Sequence, residues 1–261
     1  MRYRVILAAI VVLFVSASYF MQSSHNPITG ETQRVALSPE QEVALGMQSA
    51  PQMAARFGGI SRNEKASVIV KTIGQRLAAR SVAAKSTYRF SFHVLADPKT
   101  INAFALPGGP VFITEGLLRL LRTEGEVAAV LGHEIGHVIA RHGAEHLAKQ
   151  QLTQGLVGAV ALGSGDYGTT QMAQAVGSLV NMKYGRDDEL ESDSLGVRIM
   201  AEAGYDPRSM LRVMEVLAGA SSGARQPEML STHPDPGNRA ERVQAEIAKR
   251  FPGGVPEGLV R

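Results

Sequence analysis

The sequence predicts an α+β fold that is mostly helical, with a small β-sheet in its first half and helices after it. Two patterns carry that prediction. Tyr88 to Leu95 alternates as YRFSFHVL, which puts Tyr88, Phe90, Phe92 and Val94 on one buried face of a strand. After Thr114 the apolar spacing is helical throughout, apart from glycine-rich breaks near Gly163–Gly168 and Gly219–Gly223. A chain of 261 residues with 44% hydrophobic content can bury one good core, which excludes wholesale disorder and collagen-like structure.

Taken in order, Arg2 and Arg4 precede an apolar run from Val5 to Met21, interrupted only by Ser16 and Ser18. At about 1.5 Å per residue this run spans roughly 25 Å as a helix, slightly short of a hydrocarbon core of about 30 Å. Residues 1–22 therefore read as a signal peptide or a signal-anchor helix, with Val15-Ser16-Ala17 as a small-residue cleavage pattern. The basic flank places the remaining residues on the far side of the membrane. Residues 23–37 are polar and turn-rich and read as a stalk, leaving 38–261 as the folded domain.

Within that domain, Ser38-Pro39-Glu40-Gln41 opens a helix to about Arg56, and Asn63 to Arg80 has helical spacing as well. His93, on the opposite face of the strand, reads as a surface or hydrogen-bonded residue. Asn102–Leu106 and Val111–Thr114, joined by Pro107-Gly108-Gly109-Pro110, read as a hairpin or a pair of edge strands.

Composition narrows the chemistry. The 27 Lys+Arg and 24 Asp+Glu leave a net charge of +3, too weak a field for a dedicated nucleic-acid binder, so nucleic acid is excluded as a partner. No cysteine is present, which removes disulfides, thiol nucleophiles, iron–sulfur clusters and cysteine-based zinc sites. Any metal must rest on His, Asp or Glu, and four of the seven histidines fall between positions 133 and 146.

Thr123-Glu124-Gly125-Glu126 reads as a capping box opening a helix that continues through EVAAVLGHEIGHVIARHGAEHL. Inside it lies His133-Glu134-Ile135-Gly136-His137. Histidines four apart differ by about 40° around a helix, so both imidazoles can grip one ion, while Glu134 stands about 100° round from His133, in reach of a metal-bound water. On the same cylinder His142 and His146 fall near 180° and 220° from His133, which reads as surface or second-layer placement. The metzincin third ligand is excluded, because Ala140 and Gly143 stand where that pattern needs glycine and histidine. A carboxylate from Asp187-Asp188-Glu189-Leu190-Glu191-Ser192-Asp193 is the alternative. Glu189 and Asp193 share a helix face, so one can ligate while the other receives a ligand histidine's N–H; Asp187, Asp188 and Glu191 compete for the role.

HEIGH, the later ELESD (Glu189 to Asp193), NAFALPGG (Asn102 to Gly109) and STHPDPGNR (Ser231 to Arg239) together resemble the metallopeptidase family of the type-1 CAAX prenyl proteases and HtpX-like proteases, family M forty-eight. NPITG at Asn26 to Gly30, followed by LSPEQEVALG, is similar to bacterial cell-envelope members without a helical-repeat domain. The likeness covers nearly the whole chain after the leader. It implies a gluzincin-type domain with one zinc ion on His133, His137 and Glu189, catalysis by Glu134 and a supporting role for Asp193. It also implies a location on the periplasmic side of the envelope, anchored in the inner membrane or released.

The expected function is a zinc endopeptidase cutting unfolded or misfolded envelope proteins, with Glu134 as base toward a zinc-bound water. His233 and Arg239 are candidate donors to the developing oxyanion; a resting state with His233 on the zinc is the other reading of that histidine. Asn102 and Ala103 are candidates for holding an extended polypeptide substrate by β-augmentation. The rival function is a zinc-containing holdase or assembly factor, against which Glu134 speaks, because a purely structural site has no use for that carboxylate. The remaining partner is the membrane itself, through an uncleaved amino-terminal helix.

Overall fold

The computed structural model describes residues 2–164, 183–221, 227–234 and 237–261. The first helix, α1 (Arg2–Met21), contains a span, Tyr3–Met21, long and apolar enough to cross a membrane by length and composition. It runs beside α6 (His142–Ser164), where Gly155 faces Val15 closely.

Residues 23–37 depart from the expected stalk. Strands β1 (Ser23–His25) and β2 (Thr32–Arg34) form an antiparallel hairpin docked on the domain. Composition misleads here because the polar side chains have a structural use. Asn26 and Gln33 are buried, and their amides donate to the carbonyls of Ile139 (2.8 Å) and Ala140 (2.5 Å), which a helix end would otherwise leave without partners.

Helix α2 (Pro39–Arg56) begins with the capping box of Ser38 and Gln41, and α3 (Glu64–Arg80) is capped by Asn63. A 3₁₀ turn, Val82–Lys85, leads to the sheet. Its strands β3 (Ser91–Leu95), β4 (Ala103–Ala105) and β5 (Pro110–Thr114) lie in the order β3-β5-β4. β4 and β5 form the expected hairpin, pairing Ala103 with Ile113, but β5 is not an edge strand. It also pairs in parallel with β3, Phe92 opposite Val111, and all five of its residues are buried. His93 stacks on Phe112 at 5.2 Å and contacts Ser91 Oγ at 3.1 Å, a hydrogen-bonded strand histidine.

After the short α4 (Glu115–Leu118) comes α5 (Glu124–Ile139), in which every residue from Gly125 to Ile139 is buried. Ala128, Leu131 and Ile135 share one core with Val70, Ile73 and Leu77 of α3, with Val94, Val111 and Ile113 of the sheet, and with Val197, Ile199 and Met200 of α7 (Arg186–Glu202). The remaining helices are α8 (Ser209–Ser221), α9 (Glu228–Thr232) and α10 (Arg239–Arg250). Thr123 caps α5 by accepting from Glu126 N at 3.2 Å. The Glu126 carboxylate reaches the Arg122 N–H instead of Thr123, so only half of the expected box forms.

A larger correction concerns the end of α5. The helix read as continuous through His146 stops at Ile139 and restarts at His142, with Arg141 at φ 60°. The guanidinium of Arg141 forms an ion pair with Glu42 of α2 and donates to Leu37 O (2.7 Å) and Ser24 Oγ (3.1 Å). Helical periodicity does not register such a tertiary anchor.

Helices α5 and α7 pack through small residues. A Cβ on Gly136 would sit 2.7 Å from Ser192 Oγ and 2.8 Å from Ser192 O, and one on Gly196 would sit 3.3 Å from His133 N. Ser192 Oγ donates to His133 O at 2.5 Å across this contact. Gly136→Ala therefore forces the two backbones apart. Its overpacking cost of about 1–3 kcal/mol outweighs alanine's helix propensity gain, so the net effect in a urea melt is a lower midpoint. Gly158→Ala in α6, where an added Cβ meets nothing within 4 Å, raises the midpoint or leaves it unchanged.

Candidate metal centre

The i, i+4 spacing on α5 points His133 and His137 to the same side, with their Nε2 atoms 3.0 Å apart. The α5–α7 contact brings Glu189 to meet them: Oε2 is 3.4 Å from His133 Nε2 and Oε1 is 3.3 Å from His137 Nε2. From the residue after α9, His233 Nδ1 reaches to 2.9 Å from Glu189 Oε1 and 3.3 Å from His133 Nε2. One donor atom from each of these four buried residues lies within 4.8 Å of the other three. Two ligands at about 2.0–2.1 Å from a tetrahedral ion stand about 3.3 Å apart, so the observed separations fit a single metal ion held by His133, His137 and Glu189, with His233 able to fill the fourth position.

Asp193, one turn after Glu189, accepts from His133 Nδ1–H at 2.9 Å. Nε2 is thereby the nitrogen that faces the cluster, with a lone pair for a metal once its own proton is lost. Arg239 grips Asp193 with Nε and Nη2, both at 2.8 Å, and its Nη1 lies 3.0 Å from Glu189 Oε2. The guanidinium thus bridges the two carboxylates.

Glu134 differs from its neighbours. It is wholly buried, and neither carboxylate oxygen has a hydrogen-bond partner among the described residues; His233 Nε2 stands 3.7 Å from Oε1. Burial raises its pKa, opposed by the nearby His233 and His133 side chains. Burial also works against ionisation of Glu189, but His233, His133 and His137 hold that carboxyl well below the usual range. Burial alone would lower His133, yet the Asp193 and Glu189 carboxylates raise it to about 10, whereas burial takes His137 well below 6.5.

Of the surface and second-layer placements that the sequence allowed His142, the structure shows the second, reached by a route that the helix wheel did not contain. Because α5 breaks at Arg141, His142 Nδ1 lies 2.8 Å from His137 Nδ1 instead of across the cylinder. His146 stays away from the cluster and meets Asp188 Oδ2 at 2.9 Å. Among the competing acids, Asp187 is exposed, Asp188 accepts from Gly185 N–H, and Glu191 meets His142. Tyr184 was not foreseen; its ring stacks on His137 with centroids 3.9 Å apart. No spacing rule reaches it, because it lies in an irregular stretch just before α7.

Asn102 and Ala103 are both buried at the start of β4. Asn102, with its Oδ1 lacking a partner among the described residues, lines a cavity of about 30 Å³ together with Phe104, Thr232 and His233. Ala103 is not among the residues lining it. A second cavity of about 310 Å³, lined by Val130, His133, Met210, Val213, Met229 and Arg239 among others, opens beside His133.

A family model described as Peptidase family M48 matches residues 37–247. The chain is 33% identical over 224 residues to the beta-barrel assembly-enhancing protease of Yersinia pestis, covering 82% of this chain and 45% of that protein. It is 29% identical over 244 residues to the Escherichia coli protein of the same name, covering 90% and 49%. It is also 28% identical over 229 residues to the mitochondrial metalloendopeptidase OMA1 of Schizosaccharomyces pombe, covering 87% and 67%. The chain spans about half the length of the bacterial relatives it matches. The family match takes in α5, α7 and the segment carrying His233, and the chain accordingly belongs to Peptidase family M48, a metallopeptidase family.

Proposed function

We propose that the chain is a zinc-dependent endopeptidase acting on extended segments of unfolded or misfolded proteins on the periplasmic side of the bacterial envelope. The observation that carries this reading is the buried Glu134 carboxylate, without a hydrogen-bond partner among the described residues and beside four converging metal donors. A buried carboxylate with no partner costs stability, so its use lies in the reaction. Two imidazoles and a carboxylate suit zinc, which when bound would supply Lewis acidity toward a peptide carbonyl and lower the pKa of water.

Glu134 takes a proton from the attacking water and delivers it to the leaving amide nitrogen, a role helped by the upward pKa shift that burial imposes. Arg239 and Asp193 keep Glu189 and His133 oriented. The side of β4 away from β5, unpaired in the sheet among the described residues, lies beside His233 and offers main-chain groups to a stretched peptide, with Asn102 and Ala103 at its start. The 310 Å³ cavity, with Met210, Val213 and Met229 in its wall, suits a large apolar side chain, which folded proteins rarely expose. The envelope address rests on α1 with its Arg2 and Arg4 flank and on relatives named for β-barrel assembly.

His233 favours a resting state. It is 1% exposed and hydrogen-bonded to Glu189, and α9 leans on the start of β4 through Met229 N–H to Ile101 O at 3.2 Å. Substrate entry then requires His233 to leave.

Three measurements test these readings. Glu134→Gln retains one zinc per chain and cuts casein at least about 100-fold more slowly than the wild type; equal rates would sink the assignment of Glu134 as base, and no cleavage by the wild type or by His233→Ala would favour a holdase. Zinc affinity rises about tenfold per pH unit from pH 6 to 8, because His133 stays protonated up to about 10 in the metal-free protein and must give up one proton, while His137 is already neutral; calorimetry in buffers of different ionisation enthalpy counts that proton. His233→Ala keeps zinc on the other three donors and speeds casein cleavage; a loss of rate with zinc retained would instead make His233 an oxyanion donor.

A further inference from the structure

The buried contact between His137 and His142 has no part in the reaction above. The two Nδ1 atoms are 2.8 Å apart, and His142 Nε2 is 3.1 Å from Glu191 Oε2. Two ring nitrogens at that separation share one proton. One assignment leaves His137 Nε2 free to face the cluster and gives every other nitrogen a partner: His137 Nδ1–H donates to His142 Nδ1, and His142 Nε2–H donates to Glu191. The reverse assignment leaves His142 Nε2 as an acceptor facing a carboxylate and puts the proton of His137 on Nε2, inside the cluster.

We infer that His142, backed by Glu191, is a positioning residue that fixes the orientation and tautomer of His137 as a metal ligand, and that the break at Arg141 exists to deliver it. This rests on the reading of His137 as a ligand. Had α5 continued, His142 would stand about 140° round from His137 and out of reach. A non-glycine residue at φ 60° carries a backbone cost that a residue inside a helix does not. The structure meets that cost with the ion pair of Arg141 and Glu42, the bonds to Leu37 O and Ser24 Oγ, and the amides of Asn26 and Gln33 on the last carbonyls of α5. The arrangement parallels Asp193 on His133: each ligand imidazole is held at Nδ1 by one residue from another helix. The hairpin that follows α1 is thereby part of the metal site's support.

The test uses the full chain in detergent, with zinc affinity measured by chelator competition and the visible spectrum of the cobalt-substituted protein recorded alongside. His142→Ala is expected to bind zinc about 10- to 100-fold more weakly and to shift the cobalt bands, with little change in the metal-free melting temperature. His142→Asn, whose amide oxygen takes the place of Nδ1 as acceptor, returns affinity to within a few-fold of the wild type. Wild-type affinity and spectrum in His142→Ala would overturn the inference, as would equal losses in the alanine and asparagine variants. Should His142→Ala fail to fold, Glu191→Ala, at a partly exposed position on α7, carries the test: a several-fold weaker zinc site supports the inference and an unchanged one overturns it. A wild-type chain that takes up neither zinc nor cobalt would overturn the metal reading beneath the inference, and the inference with it.

Discussion

The closeness of α5 to α7 is the constraint from which the site follows. Gly132 and Gly136 on one helix face Ser192 and Gly196 on the other, and the Ser192 hydroxyl bonds to the His133 carbonyl across the gap. Only at that separation does Glu189 reach both imidazoles while Asp193 reaches His133 Nδ1. Bulkier residues would have bought more apolar burial, about 25 cal/mol per Å², but would have moved the carboxylates out of range. The glycines are thus as much a part of the site as the ligands, although none of them touches a metal.

That closeness creates an electrostatic problem, since Glu134, Glu189 and Asp193 are brought together away from bulk solvent. Arg239 answers part of it by contacting both Glu189 and Asp193, and the protonated His133 answers more. Glu134 is left out of this network. Its neighbours are held by direct hydrogen bonds, whereas burial raises its pKa and only more distant groups oppose that, a distribution that suits a group required to change protonation state during turnover.

Local rules carried much of this into the sequence. The HEIGH spacing needs only 3.6 residues per turn to place both histidines, and the same rule put Glu189 and Asp193 on one face of α7. Ser38 and Asn63 capped the helices expected of them, because capping is decided within four residues. What stayed hidden was decided at a distance. The break at Arg141 depends on Glu42, ninety-nine positions earlier, and the hairpin holding Asn26 and Gln33 looked like a stalk because its buried amides are polar. Tyr184 belongs to no periodic element. The central place of β5 follows from a parallel pairing with β3, which leaves no turn signal between them. The glycine-rich stretches 165–168 and 222–223 lie outside the described residues.

On the proposed reading, the covering of the site and the docking of substrate are one event. α9 touches the start of β4 through Met229 N–H to Ile101 O, Thr232 O accepts from Tyr184 N–H, and His233 follows directly to bond Glu189. A peptide pairing along β4 and on past its start meets α9 at Ile101, and a five-residue helix has little of its own to resist with. Displacing α9 also draws His233 from the fourth donor position, because the two are adjacent in the chain. Edge pairing is paid for once and yields both main-chain grip and access to the metal centre. A folded protein, with no free strand to offer, would do neither, so the preference for extended segments follows from the same hydrogen bonds that keep the site closed.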